Sequence, residues 1–227
     1  HGAAYDGGLA LCGANAPAEE LFNGPLLGAL AVFEQRHPGV LAPGGLFDAE
    51  APRWPDPAAI EAALVSDEDF AARLGQVFGI PREGMAGGLM LRYGVLFELR
   101  ERAGGIPVDN TQVTYSGFAD DAALNAGVRR YAGDPDAVAY ANARLRLTGN
   151  TQRPVVLMAN EVDETIPSQT SSRYLDLAAN AGRGDQVFEL PPVGQGHCRF
   201  GPEAEADALA KLRAWVIDGK HPGRGPG

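Results

Sequence analysis

The sequence predicts an α/β protein in which a parallel sheet of about three strands is interrupted by a large, mostly helical segment. Short apolar runs bounded by Gly or Pro occur near the start of the chain and twice near its end, as is typical of buried parallel strands. Beyond residue 150, strand and helix patterns alternate, which predicts a parallel sheet covered on both faces. The long stretch between these regions has helical periodicity instead.

The predicted elements follow in order along the chain. Residues 5–12 form an apolar run next to glycines, and we predict the first buried strand there. Between residues 17 and 150, apolar positions recur at helical spacing and are punctuated by Gly and Pro. The predicted helices of this insertion include residues 26–35, 57–65, 67–78 and 90–102.

The last part of the chain returns to strands. We predict strands at residues 154–158 and 186–190, and helices at residues 168–181 and 202–217. Residues 218–227, rich in Gly and Pro, are predicted to be frayed. The chain is thus divided into a first core strand (1–16), a helical lid or cap insertion (17–150) and the C-terminal part of the core (151–227).

Composition excludes several classes of partner. The 227 residues carry a formal net charge of -10, and their 19 Lys and Arg are scattered, so we expect no nucleic-acid partner. No apolar stretch reaches the length of roughly 18 to 20 residues that spans a bilayer. The chain begins at His1 without a basic or apolar leader, so we expect any export signal to be absent or already removed. Localisation therefore stays open between cytoplasmic and secreted, for a protein expected to be soluble.

The cysteine and histidine content argues against a cofactor or a metal. Cys12 and Cys198 are too few for a disulfide scaffold or a Cys-based metal site, although one disulfide between them is an open alternative. His37 and His221 each precede a proline and have no ligand-like spacing to other His or Cys residues. We expect neither a metal nor a cofactor.

The residues that carry chemistry lie on two loops near the C-terminus. Asp163 follows the predicted strand at 154–158 by a few residues, and His197 follows the strand at 186–190 in a Gly-His-Cys segment. Loops at the carboxyl ends of neighbouring parallel strands lie side by side, so we expect the two side chains to meet. A carboxylate beside an imidazole fixes its tautomer and stabilises the imidazolium, as in the last two members of a Ser, Asp, His triad.

Other interpretations of these residues stay open. Asp163 is also placed to cap the following helix, and Glu161 and Glu164 are rival carboxylates on the same loop. The expected nucleophile is missing, since no Gly-x-Ser-x-Gly occurs in the 227 residues.

Several segments together resemble a bacterial α/β-hydrolase with a large lid. They are the strand at residues 5–12, the Asp-Asn-Thr and Tyr-Ser-Gly segments at 109–117, residues 120–128, the Asp163 loop and the Gly-His-Cys-x-Phe loop. The resemblance implies a partial α/β-hydrolase-like sheet, in which residues 5–12 are similar to the sixth strand of the family. It also implies that the nucleophile elbow, the oxyanion-hole loop and the first five strands precede His1. Such a sheet would have exposed strand edges, so we expect self-association through them.

Two residues of the chain are alternative nucleophiles. Cys12 follows an apolar strand and has small residues two positions before and after it, as a sharp elbow requires. It is equally open to pairing with Cys198 or to an inert, buried role. Ser116 lies in the lid-like region without a preceding buried strand, where a turn or a place in a substrate cleft is the competing interpretation.

The resemblance implies a carboxylic ester hydrolase of the esterase, lipase or polyesterase kind. His197 would be the general base, Asp163 its orienting acid and residues 17–150 the lid, with aliphatic esters or polyester fragments as substrates. The competing hypotheses are a catalytically inactive remnant that serves as a binding or assembly module, and an incomplete gene product.

Overall fold

The computed structural model describes residues 4–223. The predicted features at His1 and at the end of the frayed tail lie outside the described residues. Two compact units are present: a core unit of residues 4–16 and 147–223, and a helical unit of residues 17–146. The first boundary falls after residue 16, and the second falls after residue 146, where the sequence analysis placed it after residue 150. The role of the helical unit as a lid stays a prediction.

The core unit contains a parallel sheet in the order β1-β2-β3. These strands are β1 (Gly8–Leu11), β2 (Val155–Met158) and β3 (Val187–Glu189). In register, Leu9 lies opposite Val156, and Val156 lies opposite Phe188. The helices of the unit are α8 (Ser168–Asn180) and α9 (Pro202–Asp218). Within the described residues, the predicted α/β architecture with a three-stranded parallel sheet is confirmed.

Strand β2 is buried on both faces, which explains its unbroken apolar sequence. Val156 and Met158 pack into one cluster with Leu212 and Trp215 of α9. Leu157 points the other way, into a second cluster with Ala178 of α8 and Val187 of β3. The alternation of side chains along a strand therefore distributes one apolar run between two small cores.

The outer edge of β1 has no strand partner among the described residues. The amides of Gly8 and Cys12 donate toward β2, to the carbonyls of Pro154 and Met158, each at 2.9 Å. Since amides alternate in direction along a strand, those of Leu9 and Leu11 face the opposite edge. Such an edge is a template for another strand. Association through it stays a prediction.

The helical unit is built from seven α-helices among the described residues. A π-helical turn at Phe22–Leu26, which contains Pro25, joins the first two. The helices are α1 (Ala18–Leu21), α2 (Leu27–Arg36), α3 (Pro57–Ser66), α4 (Glu68–Phe78), α5 (Met85–Ala103), α6 (Asp121–Gly127) and α7 (Pro135–Arg144). Helix α2 is central, because every residue from Leu27 to Glu34 is buried.

One helix begins earlier than predicted. The sequence analysis started it at Met90, whereas α5 begins at Met85, directly after Gly84 in the left-handed conformation. Gly87 and Gly88 weaken the local helix propensity and so hid this turn. The amide of Gly88 nevertheless bonds the carbonyl of Gly84 at 2.9 Å, and Met85 and Leu89 are fully buried. Burial thus compensates for the poor propensity of the glycines.

None of the helices within residues 4–223 has the length and apolar content needed to cross a membrane.

Candidate functional site

Asp163 and His197 form a hydrogen-bonded pair in the core unit. The distance between His197 Nδ1 and Asp163 Oδ2 is 2.9 Å. The Asp163 side chain is only 1% exposed, whereas that of His197 is 34% exposed. An ionised carboxylate only accepts hydrogen bonds, so the Nδ1 of a neutral His197 carries the proton and donates it to Asp163. This arrangement leaves the Nε2 lone pair of His197 available.

The carboxylate is fixed by its own loop. Asp163 Oδ1 accepts the backbone amides of Thr165 and Ile166, both at 2.8 Å. Amides two and three residues ahead that donate to an Asp side chain stabilise a turn, and here that turn leads toward α8. The capping and the orienting interpretations of Asp163 are therefore compatible, since each uses a different oxygen atom. The turn orients Oδ2 toward the imidazole.

The two loops also pair with each other along their backbones. The amide of Glu161 donates to the carbonyl of Gly194 at 3.0 Å, and the amide of Gly196 donates to the carbonyl of Val162 at 2.8 Å. Val162 and Gln195 thereby form an isolated parallel bridge. The two loops are therefore paired by backbone hydrogen bonds beyond the ends of β2 and β3. This pairing places Asp163 beside His197.

The His197 loop has local features that permit this pairing. Gly194 and Gly196 have φ values of 75° and 91°, a region that favours glycine. A Cβ at Gly194 would overlap the carbonyl of Arg199. Leu190 before the loop and Phe200 after it are both buried in the cluster that also contains Leu212 and Trp215 of α9. The loop is therefore anchored at each end and shaped by glycines between the anchors.

Asp163 is the loop carboxylate that contacts His197. Glu161 is exposed, and Glu164 is half-buried. The rival carboxylates lie one and two positions from Asp163, and Asp163 Oδ2 is the acceptor of the hydrogen bond that His197 Nδ1 donates. Periodicity alone could not distinguish the three acids, because loop geometry decides which one faces the imidazole.

Cys12 and Cys198 form a disulfide. Their Cα atoms are 5.3 Å apart, and 186 residues separate them in the chain. Of the alternatives left open by the sequence, the structure has the pairing with Cys198, so in this form Cys12 has no thiol to act as a nucleophile. The bond links the end of β1 to the residue next to His197.

Both cysteines have a left-handed backbone. Their φ values are 47° and 56°, and within residues 4–223 they are the only residues other than glycine with a positive φ. A side chain in this conformation costs on the order of 1 kcal/mol or more, and such residues concentrate at functional sites. The backbone at these two positions is therefore strained for a residue with a side chain, whereas Gly would adopt it without that cost.

The disulfide and the imidazole lie together. The two Sγ atoms and a ring nitrogen of His197 are all within 4.8 Å of one another. Cys, Cys and His is a ligand set that zinc accepts. Cys12 and Cys198 are 186 positions apart, so no short ligand spacing indicates this cluster, and only the folded chain brings the two cysteines together.

Ser116 belongs to the helical unit. It lies exposed on the loop that precedes α6. The amides of the next two residues, Gly117 and Phe118, donate to the carboxylate of Asp121 at 3.1 and 2.8 Å. Ser116 thus starts a capped turn, without the buried strand that precedes a nucleophile elbow.

The helical unit also contains a groove and a buried acid. The groove has a volume of about 760 Å³ and includes Phe70, Phe118 and Leu124 in its lining. Elsewhere in the unit, Tyr131 donates a hydrogen bond to Glu34 at 2.6 Å. Burial raises the pKa of Glu34, which the sequence analysis did not single out. Its partner is 97 residues away in sequence, so no local pattern predicts the pair.

Comparison of the chain with protein-family models, with curated proteins and with solved structures finds no match. The geometry of the residues is therefore the basis for the proposals below.

Proposed function

We propose that this chain provides the general base and the orienting acid of a carboxylic ester hydrolase of the α/β-hydrolase type. The observation that supports it is the 2.9 Å contact between His197 Nδ1 and Asp163 Oδ2. The second oxygen of Asp163 is held by two backbone amides, so the carboxylate is preorganised. Both residues follow strands of a parallel sheet at its carboxyl edge, where the sites of open α/β folds lie.

The proposed chemistry follows from the protonation of the pair. With its Nδ1 proton donated to Asp163, His197 removes a proton from a nucleophilic hydroxyl through Nε2. The imidazolium formed is stabilised by the Asp163 carboxylate. The oxygen of that hydroxyl attacks the acyl carbon of the ester. When the C–O bond to the alcohol breaks, the same Nε2 returns the proton to the departing alcohol.

The proposed nucleophile is a serine that is not present in these 227 residues. No Gly-x-Ser-x-Gly occurs in the sequence. Cys12 is engaged in a disulfide, and Ser116 lies on an exposed turn. The proposed substrates are aliphatic esters or polyester fragments, and the helical unit would act as the lid. The groove is lined by Phe70 and Phe118 together with charged residues such as Asp67, and its apolar part supports a role in binding the acyl group.

The absence of a nucleophile motif also favours a second candidate function. In that alternative the chain is an inactive remnant of a hydrolase and acts as a binding or assembly module. Asp163 and His197 would then stabilise the loops without taking part in a reaction.

The pair can be tested without any substrate. In the proposed arrangement, ¹⁵N NMR of histidine-labelled protein will show neutral His197 protonated at Nδ1 and unprotonated at Nε2. Asp163→Asn removes the negative charge, and its amide can donate to Nδ1, so the proton is expected to move to Nε2. His221→Ala is the matched control that leaves the His197 signals in place. If His197 is protonated at Nε2 in the parent protein, the proposed base is wrong.

Activity is the second test. Without the proposed serine, His197 can activate only a water molecule in this chain, and this water-dependent hydrolysis of p-nitrophenyl esters is expected to fall about 10²-fold or more in His197→Ala, the lower end of general-base contributions. His221→Ala should retain the parent rate. Turnover that survives His197→Ala unchanged would overturn the assignment. If the parent protein does not hydrolyse the ester while the His197 tautomer is as expected, the inactive module is the better conclusion. Labelling by a fluorophosphonate probe would reveal an activated serine within the chain and would contradict the placement of the nucleophile outside it.

A further inference from the structure

Three side chains that bind soft metals converge beside the acid and base pair. The Sγ atoms of Cys12 and Cys198 and a ring nitrogen of His197 lie within 4.8 Å of one another. Zinc bonds of about 2.3 Å to sulfur and 2.0 to 2.1 Å to nitrogen, at tetrahedral angles, place two sulfurs and one nitrogen roughly 3.5 to 3.8 Å apart. With the disulfide reduced, the two thiols and the imidazole supply three ligands of the kinds that zinc accepts.

Asp163 completes the surroundings that a metal-bound histidine requires. Metal-ligating imidazoles commonly donate their second ring N–H to a carboxylate, which fixes the ring and raises its basicity. The Nδ1 of His197 makes this bond to Asp163 at 2.9 Å, so the nitrogen left for a metal is Nε2. The carboxylate is itself held by two amides, so the ring orientation does not depend on the disulfide alone.

The two cysteines are strained in their backbone and one of them is accessible to solvent. Cys12 and Cys198 adopt positive φ values, which glycine adopts without strain. Cys198 is exposed, so a reductant can reach the disulfide from solvent. Exposed disulfides are more readily reduced than buried ones.

We propose that reduction of the Cys12–Cys198 disulfide creates a Cys₂His site for Zn²⁺ or a similar soft divalent cation. The ligands are Cys12 Sγ, Cys198 Sγ and His197 Nε2, and the fourth tetrahedral position is open to water. The metal withdraws the Nε2 lone pair of His197, so the reduced, metal-bound form cannot use this residue as a base. This inference goes beyond the proposed function and does not depend on it, because metal binding is measured without a substrate.

The conversion is balanced with a dithiol as the reductant. The dithiol transfers two electrons and two protons to the disulfide, the S–S bond breaks, and the dithiol closes to its own cyclic disulfide. Zinc binding then releases the two thiol protons to solvent, since thiolates are the ligands.

The test uses Co²⁺ as a spectroscopic probe and Zn²⁺ as its competitor. The full chain, reduced with a dithiol that is then removed under anaerobic conditions, is expected to bind one Co²⁺ and to show thiolate-to-cobalt charge-transfer absorption. Added Zn²⁺ should abolish that absorption. The oxidised protein is the matched control, and it is expected to give no such band. His197→Ala should weaken the affinity of the reduced protein for Co²⁺ at least 10-fold.

Two variants separate metal binding from the effects of reduction. Cys198→His cannot form the disulfide and offers a CysHis₂ set at a backbone position that His tolerates. It is expected to bind Zn²⁺ without a reductant, whereas Cys198→Gly, which also fits this backbone, should bind at least 10-fold more weakly.

Circular dichroism of the reduced protein covers the case in which reduction unfolds the core unit. In that case Zn²⁺ should restore the native spectrum, since binding is then coupled to folding. The proposal is overturned if the reduced chain gives no charge-transfer band and Zn²⁺ does not restore the fold. It is also overturned if His197→Ala leaves the Co²⁺ affinity unchanged.

Discussion

The two units are stabilised in different ways. The helical unit has one large apolar cluster, to which α2 contributes fully buried residues such as Leu30 and Phe33. The core unit divides its apolar side chains between two small clusters, one on each face of a sheet with strands of three or four residues. It also contains the Cys12–Cys198 disulfide and the hydrogen-bonded pair of Asp163 and His197. The unit with the smaller cores is thus the one that contains the covalent link and the proposed site.

The two tryptophans allow the comparison to be tested one unit at a time. The sequence has two Trp residues, Trp54 in the helical unit and Trp215 in the core unit. A Trp54→Phe background therefore reports the core unit by fluorescence, and a Trp215→Phe background reports the helical unit. Urea unfolding in both backgrounds gives a separate midpoint for each unit.

The largest effect is expected from loss of the disulfide. The bond closes a loop with a sequence separation of 186 residues, so its removal should lower the free energy of unfolding of the core unit by about 2–5 kcal/mol. Cys12→Ser combined with Cys198→Ser, measured through Trp215, is the variant to use. The midpoint measured through Trp54 should stay the same. Equal shifts of both midpoints would show that the units unfold together and would contradict the comparison.

A smaller effect, in the opposite unit, is expected from a cavity in the large core. Leu30 is fully buried, so Leu30→Ala should destabilise the helical unit by about 2–4 kcal/mol through lost contacts and the residual cavity. Val65→Ala in α3 is the matched control, because Val65 is 58% exposed and its truncation should stay within about 0.5 kcal/mol. A Leu30→Ala effect as small as that of the control would mean that the core is loosely packed.

The smallest effect concerns pH. Burial raises the pKa of Glu34 above its ordinary value of 4.5. A raised pKa in the folded state means that the folded protein binds the proton more tightly than the unfolded chain. This contribution to stability is complete below the unfolded pKa and is lost as the pH rises through the folded pKa.

The stability of the helical unit relative to that of a Glu34→Gln variant should therefore decrease as the pH rises above the ordinary Glu value of 4.5 and through the raised pKa of the folded state. Unfolding measured through Trp54 at several pH values checks this sign. Since Gln keeps an acceptor for the Tyr131 hydroxyl, the comparison isolates the charge. A difference that does not change with pH would show that Glu34 titrates normally despite its burial.

Local patterns were sufficient for most of the elements and for the meeting of Asp163 with His197. The apolar run at residues 155–158 and its following loop predicted β2 and placed Asp163 at the carboxyl edge of the sheet, and His197 followed by the same reasoning. Strand periodicity and loop position are local properties, so one sequence contains them. The start of α5 was missed because two glycines weaken a propensity that burial then overrides.

The remaining features of the site depend on contacts between distant parts of the chain. Cys12 meets Cys198 only because β1 pairs with β2 and so lies near the loop that follows β3. The sequence left three alternatives for Cys12, and sheet order decided among them. Tyr131 and Glu34 are likewise joined by helix packing. Such pairs have no spacing rule, so composition and periodicity cannot predict them.

The backbone pairing between the Asp163 and His197 loops has a consequence for their motions. Because the amides of Glu161 and Gly196 each donate to the opposite loop, neither loop can leave the other without breaking both bonds. The two amides should then exchange their hydrogens with solvent at similar rates, as members of one cooperative opening unit. Each such opening would separate Asp163 from His197 and each closing would rejoin them, so the pair would be present or absent as a whole.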